Sequence, residues 1–443
     1  MKNVSFKNRN STQRERLVAG MIAAVNRQGY AGASVSAVIA HAGVSRPTFY
    51  DHFADRADCF LAAHRDVAQE LLQEVELAVT AAAPACAVQT GVRALVEFAA
   101  AQPERARLLI GETLAGGPPT LDARDRTIVQ LGLLIERAEL QAPVDAATPD
   151  ISIRALLGAV HWLLAPPLRR REHDLSRLAR DLADWIESYL RPTSEHRWRT
   201  IAPGPALAPT AHKSELSLHP PAPLPPGRSR LSADEITRNH RERILYATAQ
   251  LAAHKGYTAT TIADIAARAA LDRRVFYARF RDKQEAFLAV HELAGQQMLA
   301  VIAGAFFSAP TWPERVWEGL RAAGQFQADH PVFAHMGLVE SHAVGAPAVQ
   351  RIDDSRAAFT IFLQEGLQQT ARPPSRTAQE AIAAAIFEIG YYHARNGQSQ
   401  LAPRFVCHPI YVCLAPFLGP RAASEFIDGK LSASGDDGPA TAY

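Results

Sequence analysis

The fold is decided by a twelve-residue stretch near the start of the chain, Ala42-Gly43-Val44-Ser45-Arg46-Pro47-Thr48-Phe49-Tyr50-Asp51-His52-Phe53. Gly43 permits a tight turn with positive φ, and Ser45 can cap the helix that follows it. Pro47 falls at the second helical position, where its missing N–H has no partner to lose. The stretch therefore predicts a turn followed by a short capped helix.

Further helices are predicted on both sides of this stretch. Apolar residues at helical spacing predict a first helix that ends at Gly29. Ser34 can cap a second helix, and Asp55 can cap a longer fourth helix. Helix, turn and short helix is the helix-turn-helix arrangement, in which only the first turns of the last helix need to reach base edges.

The same pattern returns 227 residues later. At this offset residues 14–64 overlay residues 241–291 without a gap, and Phe49-Tyr50 matches Phe276-Tyr277. The repeat continues at an offset of 228, where Glu112 meets Glu340. An offset held over this length predicts two complete copies of one unit of about 190 residues. Between them, nine prolines within residues 191–230 predict a semi-extended linker.

Each copy resembles the N-terminal domain of TetR/AcrR-type transcriptional regulators. The resemblance rests on residues 29–53 in the first copy and on residues 256–283 in the second copy, where Thr261 starts a pattern similar to a capping box. It implies an all-α fold of two tandem units, each a three-helix helix-turn-helix domain followed by a helical effector and dimerisation domain. The implied segments are a reading domain at 1–64, an effector domain at 65–191, the linker at 192–230, a second reading domain at 231–291, a second effector domain at 292–420 and a flexible tail at 421–443.

The resemblance also implies which residues meet DNA. By match, Tyr50, Tyr277, Arg56 and Lys283 position the duplex through phosphates, while Arg46, Thr48, Arg273 and Arg274 read bases. Arginine can bind guanine bidentately. The full predicted DNA-binding set is Ser34, Ser45, Arg46, Pro47, Thr48, Tyr50, His52, Arg56, Thr261, Asp272, Arg273, Arg274, Val275, Tyr277, Arg279 and Lys283.

The copies depart from the family pattern at three places. The usual histidine is His52 in the first copy but Arg279 in the second, and the usual lysine is Lys283 in the second copy but Arg56 in the first. The Gly-Val pair before the third helix becomes Ala270-Leu271. Because alanine disfavours positive φ, we expect the second turn to avoid that conformation.

Charge differs between the two copies. The whole chain has a formal net charge of only +2, so a surface for nucleic acid has to be local. Residues 44–56 carry two arginines against two aspartates, a net charge of zero, whereas residues 271–283 carry five cations against two aspartates, a net charge of +3. We therefore expect the second copy to supply more phosphate affinity, with Lys2, Lys7 and Arg9 compensating in the first.

The effector halves give weaker indications. The resemblance places the last two helices of each near residues 151–163 and 174–190, and near 378–394 and 403–418. Ligand pockets are mostly apolar with a few placed polar groups. The candidates for such groups are His161, Trp162, His335, Met336, His342 and Tyr391. Ordinary core packing is the alternative for each of them, and the sequence does not identify a ligand.

Several classes of protein are excluded by absent patterns. The chain has no run of 18 apolar residues, no apolar stretch behind its N-terminus, and four cysteines without a CxxC pair, which indicates a cytoplasmic protein without a membrane span. His291-Glu292 begins like a zinc motif, but Gly295 stands where the second histidine belongs. We expect no enzyme activity, no cofactor and no metal.

Together these observations predict a ligand-responsive DNA-binding regulator, most simply a repressor. Its partners would be a double-stranded operator and an unidentified small-molecule effector. One chain carries both reading units, so we expect a covalent pseudo-dimer on an imperfect palindrome, with pairing of two chains as the alternative assembly. The rival function is a ligand-binding or protein-interaction module in which one or both reading units have degenerated.

Overall fold

In the computed structural model the chain forms two compact units. The first comprises Met1–Thr193 with Pro374–Ala384, and the second comprises Ser194–Pro373 with Ala385–Tyr443. The structure describes residues 2–143, 146–172, 174–192, 221 and 232–433, with the side chains of residues 2–11, 191 and 192 outside the description. The linker from 192 to 230 and the basic residues Lys2, Lys7 and Arg9 therefore lie largely or wholly outside the described part, and their predicted roles stay predictions.

The first copy contains nine α-helices and a small ribbon within its described residues. The helices are α1 (Lys2–Gly32), α2 (Val35–Ala42), α3 (Arg46–His52), α4 (Arg56–Ala81), α5 (Ala87–Ala101), α6 (Pro103–Ala106), α7 (Pro118–Glu139), α8 (Ile153–Arg170) and α9 (Ser176–Glu187). A π-helical turn at Arg107–Gly111 follows α6. Strands β1 (Ala147–Pro149) and β2 (Leu190–Pro192) pair antiparallel, with Thr148 opposite Arg191. This ribbon was not predicted from the sequence.

The second copy repeats this order and adds one helix. Its helices are α10 (Ala233–Lys255), α11 (Ile262–Arg268), α12 (Arg273–Tyr277), α13 (Lys283–Phe306), α14 (Trp312–Asp329), α15 (Pro331–Leu338), α16 (Ala346–Phe359), α17 (Arg376–Arg395), α18 (Cys407–Leu418) and α19 (Pro420–Ala433). Short 3₁₀ helices lie at Glu340–Val344, Thr360–Leu363, Gly366–Gln369 and Ser399–Phe405. The all-α fold predicted from sequence is confirmed.

Helix α19 corrects the prediction of a flexible tail from residue 421. Residues 420–433 form a helix, because Ala423, Ile427 and Leu431 recur at helical spacing and are fully buried. The small, polar composition that suggested flexibility is that of residues 430–443, of which only the first four belong to this helix. Residues 434–443 lie outside the described residues.

The helix starts follow the caps that the sequence indicates. The side chain of Ser34 accepts a hydrogen bond from the backbone N–H of Ala37, and Asp55 accepts one from Asp58. Thr261 and Asp264 form a reciprocal capping box at the start of α11. These bonds satisfy N–H groups that a helix cannot satisfy internally, so the predicted boundaries of the short helices are confirmed.

Each helix-turn-helix shares a long helix with its effector domain. Helix α4 passes through residue 64 and α13 passes through residue 291, so both predicted domain boundaries fall inside helices. In the second copy, Phe276 and Phe280 belong to the same buried cluster as Phe326, Phe333 and Met336 of the effector domain. A change of packing in the effector half of that copy therefore reaches the reading half through continuous side-chain contacts.

Among the described residues, helix α13 is long and apolar enough to cross a membrane by length and composition, and the bent pair Ser399–Phe405 with α18 would count as a second such segment. The core helix of a globular protein passes the same test. Phe287 and Val290 of α13 are fully buried in the second unit. We therefore interpret α13 as a core helix.

Candidate nucleic-acid interface

The third helix of the first copy, α3, presents a polar edge. Ser45 caps it by accepting a hydrogen bond from the backbone N–H of Thr48, and the two hydroxyls lie 2.8 Å apart. Arg46, Pro47 and Tyr50 are exposed, whereas Thr48 and His52 are half-buried. The guanidinium of Arg46 donates to the Ser36 hydroxyl at 3.1 Å. The one arginine at the start of this helix is therefore held against α2.

The equivalent helix of the second copy, α12, is shorter and more cationic. Asp272 caps it through the backbone N–H of Arg274 at 2.7 Å. Asp272, Arg273, Arg274 and Tyr277 are exposed, and Val275 is half-buried. Within the described residues, the guanidinium groups of Arg273 and Arg274 have no hydrogen bond or ion pair. Both are available to a phosphate or a base edge.

Each of these helices is anchored by an aromatic pair beneath its exposed tyrosine. Phe49 and Phe53 are buried with ring centroids 5.8 Å apart, and Phe276 and Phe280 are buried at 5.9 Å. Phenylalanines four residues apart lie on one helix face, so the opposite face is left to solvent. Tyr50 and Tyr277 are 52% and 58% exposed, which leaves both hydroxyl groups accessible to a duplex.

His52 of the first copy is replaced by Arg279 in the second, and the two side chains make different contacts. Arg279 donates to the hydroxyl of Thr237 on α10 at 2.9 Å, so it ties α12 back to the first helix of its own domain. His52 is half-buried, and its Nε2 has no hydrogen-bond partner. Neither side chain extends freely from the reading surface as the predicted set implied.

Arg56 and Lys283 occupy one structural position in both copies. The ammonium of Lys283 donates to the carbonyl oxygens of Tyr257, Thr258 and Thr260 at 2.9 to 3.3 Å and lies 4.4 Å from the centroid of the Tyr257 ring. Burial, with Lys255 nearby, lowers the pKa of Lys283. Because an ammonium has only three donors, this arrangement leaves none for a phosphate.

Arg56 repeats this arrangement in the first copy. Its Nη1 donates to the carbonyls of Tyr30, Ala31 and Ala33 at 2.9 to 3.5 Å, and its guanidinium lies 4.5 Å from the Tyr30 ring centroid. These bonds engage only the Nη1 of Arg56, so the phosphate role implied by resemblance for this residue stays a prediction. The cation fastens the end of the first helix to the start of the fourth.

The turn before the third helix corrects an expectation from sequence. Gly43 has φ 61°, and Ala270, which replaces it, has φ 50°. The left-handed conformation persists because the turn is fastened from outside: Arg16 donates to the Gly43 carbonyl at 2.7 Å, and Arg243 donates to the Ala270 carbonyl at 3.1 Å. The second copy therefore keeps the turn and accepts the steric cost of a Cβ.

A buried glutamate joins each effector domain to its reading domain. The backbone N–H of Tyr30 donates to Glu112 at 2.9 Å, and that of Tyr257 donates to Glu340 at 2.7 Å. The repeat matches these two glutamates, but the sequence assigned them no role, because a contact across 82 residues leaves no local pattern. Their recurrence in both copies was the one indication available.

The partner of this glutamate differs between the copies. Arg107 forms an ion pair with Glu112 at 3.3 Å, and both side chains are nearly buried. At the matching position, the Nε2 of His335 lies 3.8 Å from Glu340, while its Nδ1 lies 3.0 Å from the carbonyl of Ala394. His335, predicted to contact ligand, thus lies at the junction between the effector and reading domains.

The other predicted ligand residues are distributed between two internal spaces and the packed core. Met336 lines a cavity in the second unit, and His161 lines a small void in the first. His335, His342 and Tyr391 do not line that cavity, and Trp162 does not line that void. His342, Tyr391 and Trp162 are buried in packing because each continues the apolar face of its segment.

A family model for bacterial regulatory proteins of the tetR family matches the chain twice, at residues 22–63 and 244–290. The two matched segments contain the two helix-turn-helix units described above. No curated protein sequence matches the chain.

Three regulators of known structure are among those similar to part of this chain. A tetR-family regulatory protein from Rhodococcus RHA1 has 23% identity and a TM-score of 0.34, covering 39% of this chain and 96% of that chain. A TetR-family regulator from Marinobacter aquaeolei VT8 has 18% identity and a TM-score of 0.33, with coverages of 39% and 96%. SmeT, the repressor of the Stenotrophomonas maltophilia multidrug efflux pump SmeDEF, has 18% identity and a TM-score of 0.30, with coverages of 41% and 94%.

The two family-model matches coincide with two capped reading helices of the same construction, built on the same buried aromatic pair and fastened by the same arginine at the preceding turn. The chain accordingly carries two tandem helix-turn-helix domains of the tetR type, each followed by a helical domain.

Proposed function

We propose that the chain is a ligand-responsive repressor whose two reading helices bind one operator as a covalent pseudo-dimer. The observation that carries the proposal is the pair of matched third helices, α3 and α12, each exposed on the face opposite its buried phenylalanines. Such a regulator acts where the chromosome is, so we place it in the cytoplasm without a membrane partner.

The two reading surfaces combine base contacts with phosphate contacts. Arg46 and Thr48 in the first copy, and Arg273 and Arg274 in the second, stand at the helix turns that enter a major groove. Tyr50 and Tyr277 offer hydroxyl groups to phosphates at the edge of the groove. Arg46 and Tyr50 match Arg273 and Tyr277, but Pro47 and Thr48 are replaced by Arg274 and Val275, so the preferred operator is an imperfect palindrome.

The pseudo-dimer follows from placing both units on one chain. Dimeric helix-turn-helix proteins bind half-sites about 34–36 Å apart, and a coil of 40 residues spans roughly 35 Å. The first compact unit also includes residues 374–384, which belong to the second copy by sequence. Tethering turns subunit association into an intramolecular step, which supports a single chain as the binding species.

Control by ligand requires a link from effector to reading domain. The buried Glu112 and Glu340 supply such a link in each copy, because each accepts the backbone N–H of the residue after a glycine with positive φ, which is Gly29 near the end of α1 and Gly256 directly after α10. A ligand shifts the equilibrium between reading conformers only if it binds one of them better. Movement of the segment bearing the glutamate would reorient that helix end.

The rival function is a module whose first reading unit no longer binds DNA. Its support is the zero net charge of residues 44–56 and the hydrogen bond that holds Arg46 to Ser36. Selection from a random duplex pool, followed by salt-titrated gel shifts on the selected sequence, separates the two functions. The proposal requires that Arg46→Ala and Arg273→Ala each weaken binding. Loss through Arg273→Ala alone would support the module, and absence of any selected sequence would overturn DNA binding.

A further inference from the structure

The effector domain of the second copy contains a cavity of about 170 Å³. It lies within the second unit and is walled by α13, α14, α15, α16, α17 and α18 together with the segment Ser399–Phe405. Its apolar lining includes Met298, Ile302, Phe326, Phe333, Met336 and Phe359. An apolar cavity of roughly 150 Å³ is large enough to bind benzene, so this space can hold a small organic molecule.

The matching space in the first copy is nearly filled. Its void measures about 20 Å³. The first copy has the larger residue at four matched positions, whereas the second copy has the larger one where Leu320 replaces Val92 and Phe359 replaces Leu131. The four pairs are Ala68 and Gly295, Leu95 and Ala323, Val96 and Gly324, and Leu109 and Gly337. At Gly337 an added Cβ would meet no atom within 4 Å, which shows that the missing leucine leaves open space.

The two copies also differ by one buried charged residue. Arg124, 1% exposed, lines the void of the first copy, donates to Asp125 at 2.9 Å and lies 5.5 Å from the Trp162 ring. Its counterpart in the second copy is Ile352, which lines the cavity. The aspartate equivalent to Asp125 pairs there with Arg356, which is not part of the cavity wall. The first copy has thus closed its space with a paired guanidinium.

The cavity of the second copy carries no formal charge. No Asp, Glu, Lys or Arg is among the described residues that line it. Burial, followed by the nearby Arg351, lowers the pKa of His291 to about 4, and burial lowers the pKa of His393 to about 4, so both imidazoles are neutral near pH 7. Gln327 and Ser355 are the remaining polar side chains of the lining. A charged ligand would lose its hydration without gaining a counterion.

We propose that the two copies differ in sensing, so that the second copy alone binds the effector, an uncharged and mainly apolar molecule the size of a substituted single ring, and the first copy is a non-sensing partner. This inference rests on the proposed function for its regulatory meaning, whereas the binding asymmetry stands by itself. The cavity and the reading helix α12 are connected by directly packed side chains. Phe326, Phe333 and Met336 line the cavity and pack in the cluster that holds α12, and Glu340 begins the segment after α15.

The test uses the full chain and two probes matched in size, 4-fluorotoluene and 4-fluorobenzoate, observed by ¹⁹F NMR. We expect one molecule of 4-fluorotoluene to bind per chain and the benzoate to bind at least tenfold more weakly. Gly337→Leu restores the residue of the first copy and should lower 4-fluorotoluene affinity at least tenfold, as should the independent variant Ala323→Leu. Gly429→Leu, on an exposed position of α19 with no atom within 4 Å of the added Cβ, is the control and should bind normally.

The outcomes separate this inference from the proposed function. Two bound molecules per chain, equal affinity for both probes, no binding by the parent chain, or unchanged binding in both filled variants would each overturn the sensing asymmetry. Operator binding without probe is measured on the same samples. The Gly429→Leu control should bind operator as the parent does. Absence of operator binding in the parent chain would overturn the proposed function instead.

Discussion

Removing Arg273 and Arg274 together is the perturbation that most clearly probes the reading surface. Five cations lie between residues 271 and 283, but the structure leaves few of them available. Lys283 is occupied by backbone carbonyls and Arg279 by Thr237, while Arg281 pairs with Asp282 at 3.1 Å. Only the two guanidinium groups at the start of α12 are both exposed and unpaired among the described residues of that span.

The magnitude follows from counterion release. Each phosphate contact contributes about −0.9 to the slope of log K against log salt, so losing two contacts should reduce the slope by about 1.8. Over a fourfold rise in salt, the affinity of the Arg273→Ala/Arg274→Ala variant should fall roughly 12-fold less than that of the parent. If one arginine reads a base instead, the slope should change by about 0.9, with a loss of specificity at one base pair of about 1–3 kcal/mol.

The assay is fluorescence anisotropy on the selected operator between about 50 and 200 mM salt, the range over which phosphate contacts dominate. Arg421→Ala is the control, because Arg421 is exposed on α19 and pairs with Glu425 at 2.8 Å, far in sequence from either reading helix. An unchanged slope together with unchanged affinity and base selectivity in the double variant would refute the assignment of Arg273 and Arg274 to the reading surface.

Three further predictions concern the scaffold. Ala270→Gly should stabilise the second copy by about 0.5–1 kcal/mol, because the relief of roughly 1–2 kcal/mol of strain in the left-handed conformation exceeds the entropy cost of glycine. Gly43→Ala should destabilise the first copy by a similar amount. Urea denaturation measures both changes in the free energy of unfolding. Glu340→Ala should cost about 1–3 kcal/mol by leaving the Tyr257 N–H buried without an acceptor, whereas Glu340→Gln, which keeps an acceptor oxygen, should recover much of the loss in the same assay. The free energy of unfolding should fall as the pH drops from 6.5 to 4. Burial, aided by Arg126, lowers the pKa of His64 to about 4, so the unfolded chain takes up the proton at a higher pH than the folded chain does. In calorimetry, His64→Leu should flatten this pH dependence.

The reading domains were predictable because local rules determine them. Ser45, Thr261 and Asp55 are capping residues whose partners lie three positions away, so their roles can be inferred from spacing. The repeat strengthened every such inference by presenting it twice. The left-handed turn at Ala270 escaped prediction, because the contact from Arg243 that supports it comes from 27 residues away.

The effector domains were predictable only as helices. The cavity exists because several residues that line it are small. In the sequence, a small residue such as Gly337 looks like any other position of a helix. His335 was selected as a polar group on an apolar helix, yet the structure turns it toward Ala394 and Glu340. Sequence periodicity gives the buried face of a helix but not which of its neighbours each side chain meets.

The measurement that tests the pseudo-dimer most directly is a chemical-protection footprint of an equimolar mixture of chain and operator duplex. We predict that one chain protects two major grooves about 10–10.5 base pairs apart, with unequal base patterns in the two. Protection of a single groove, or of both grooves only when two chains are supplied per duplex, would contradict binding by a covalent pseudo-dimer.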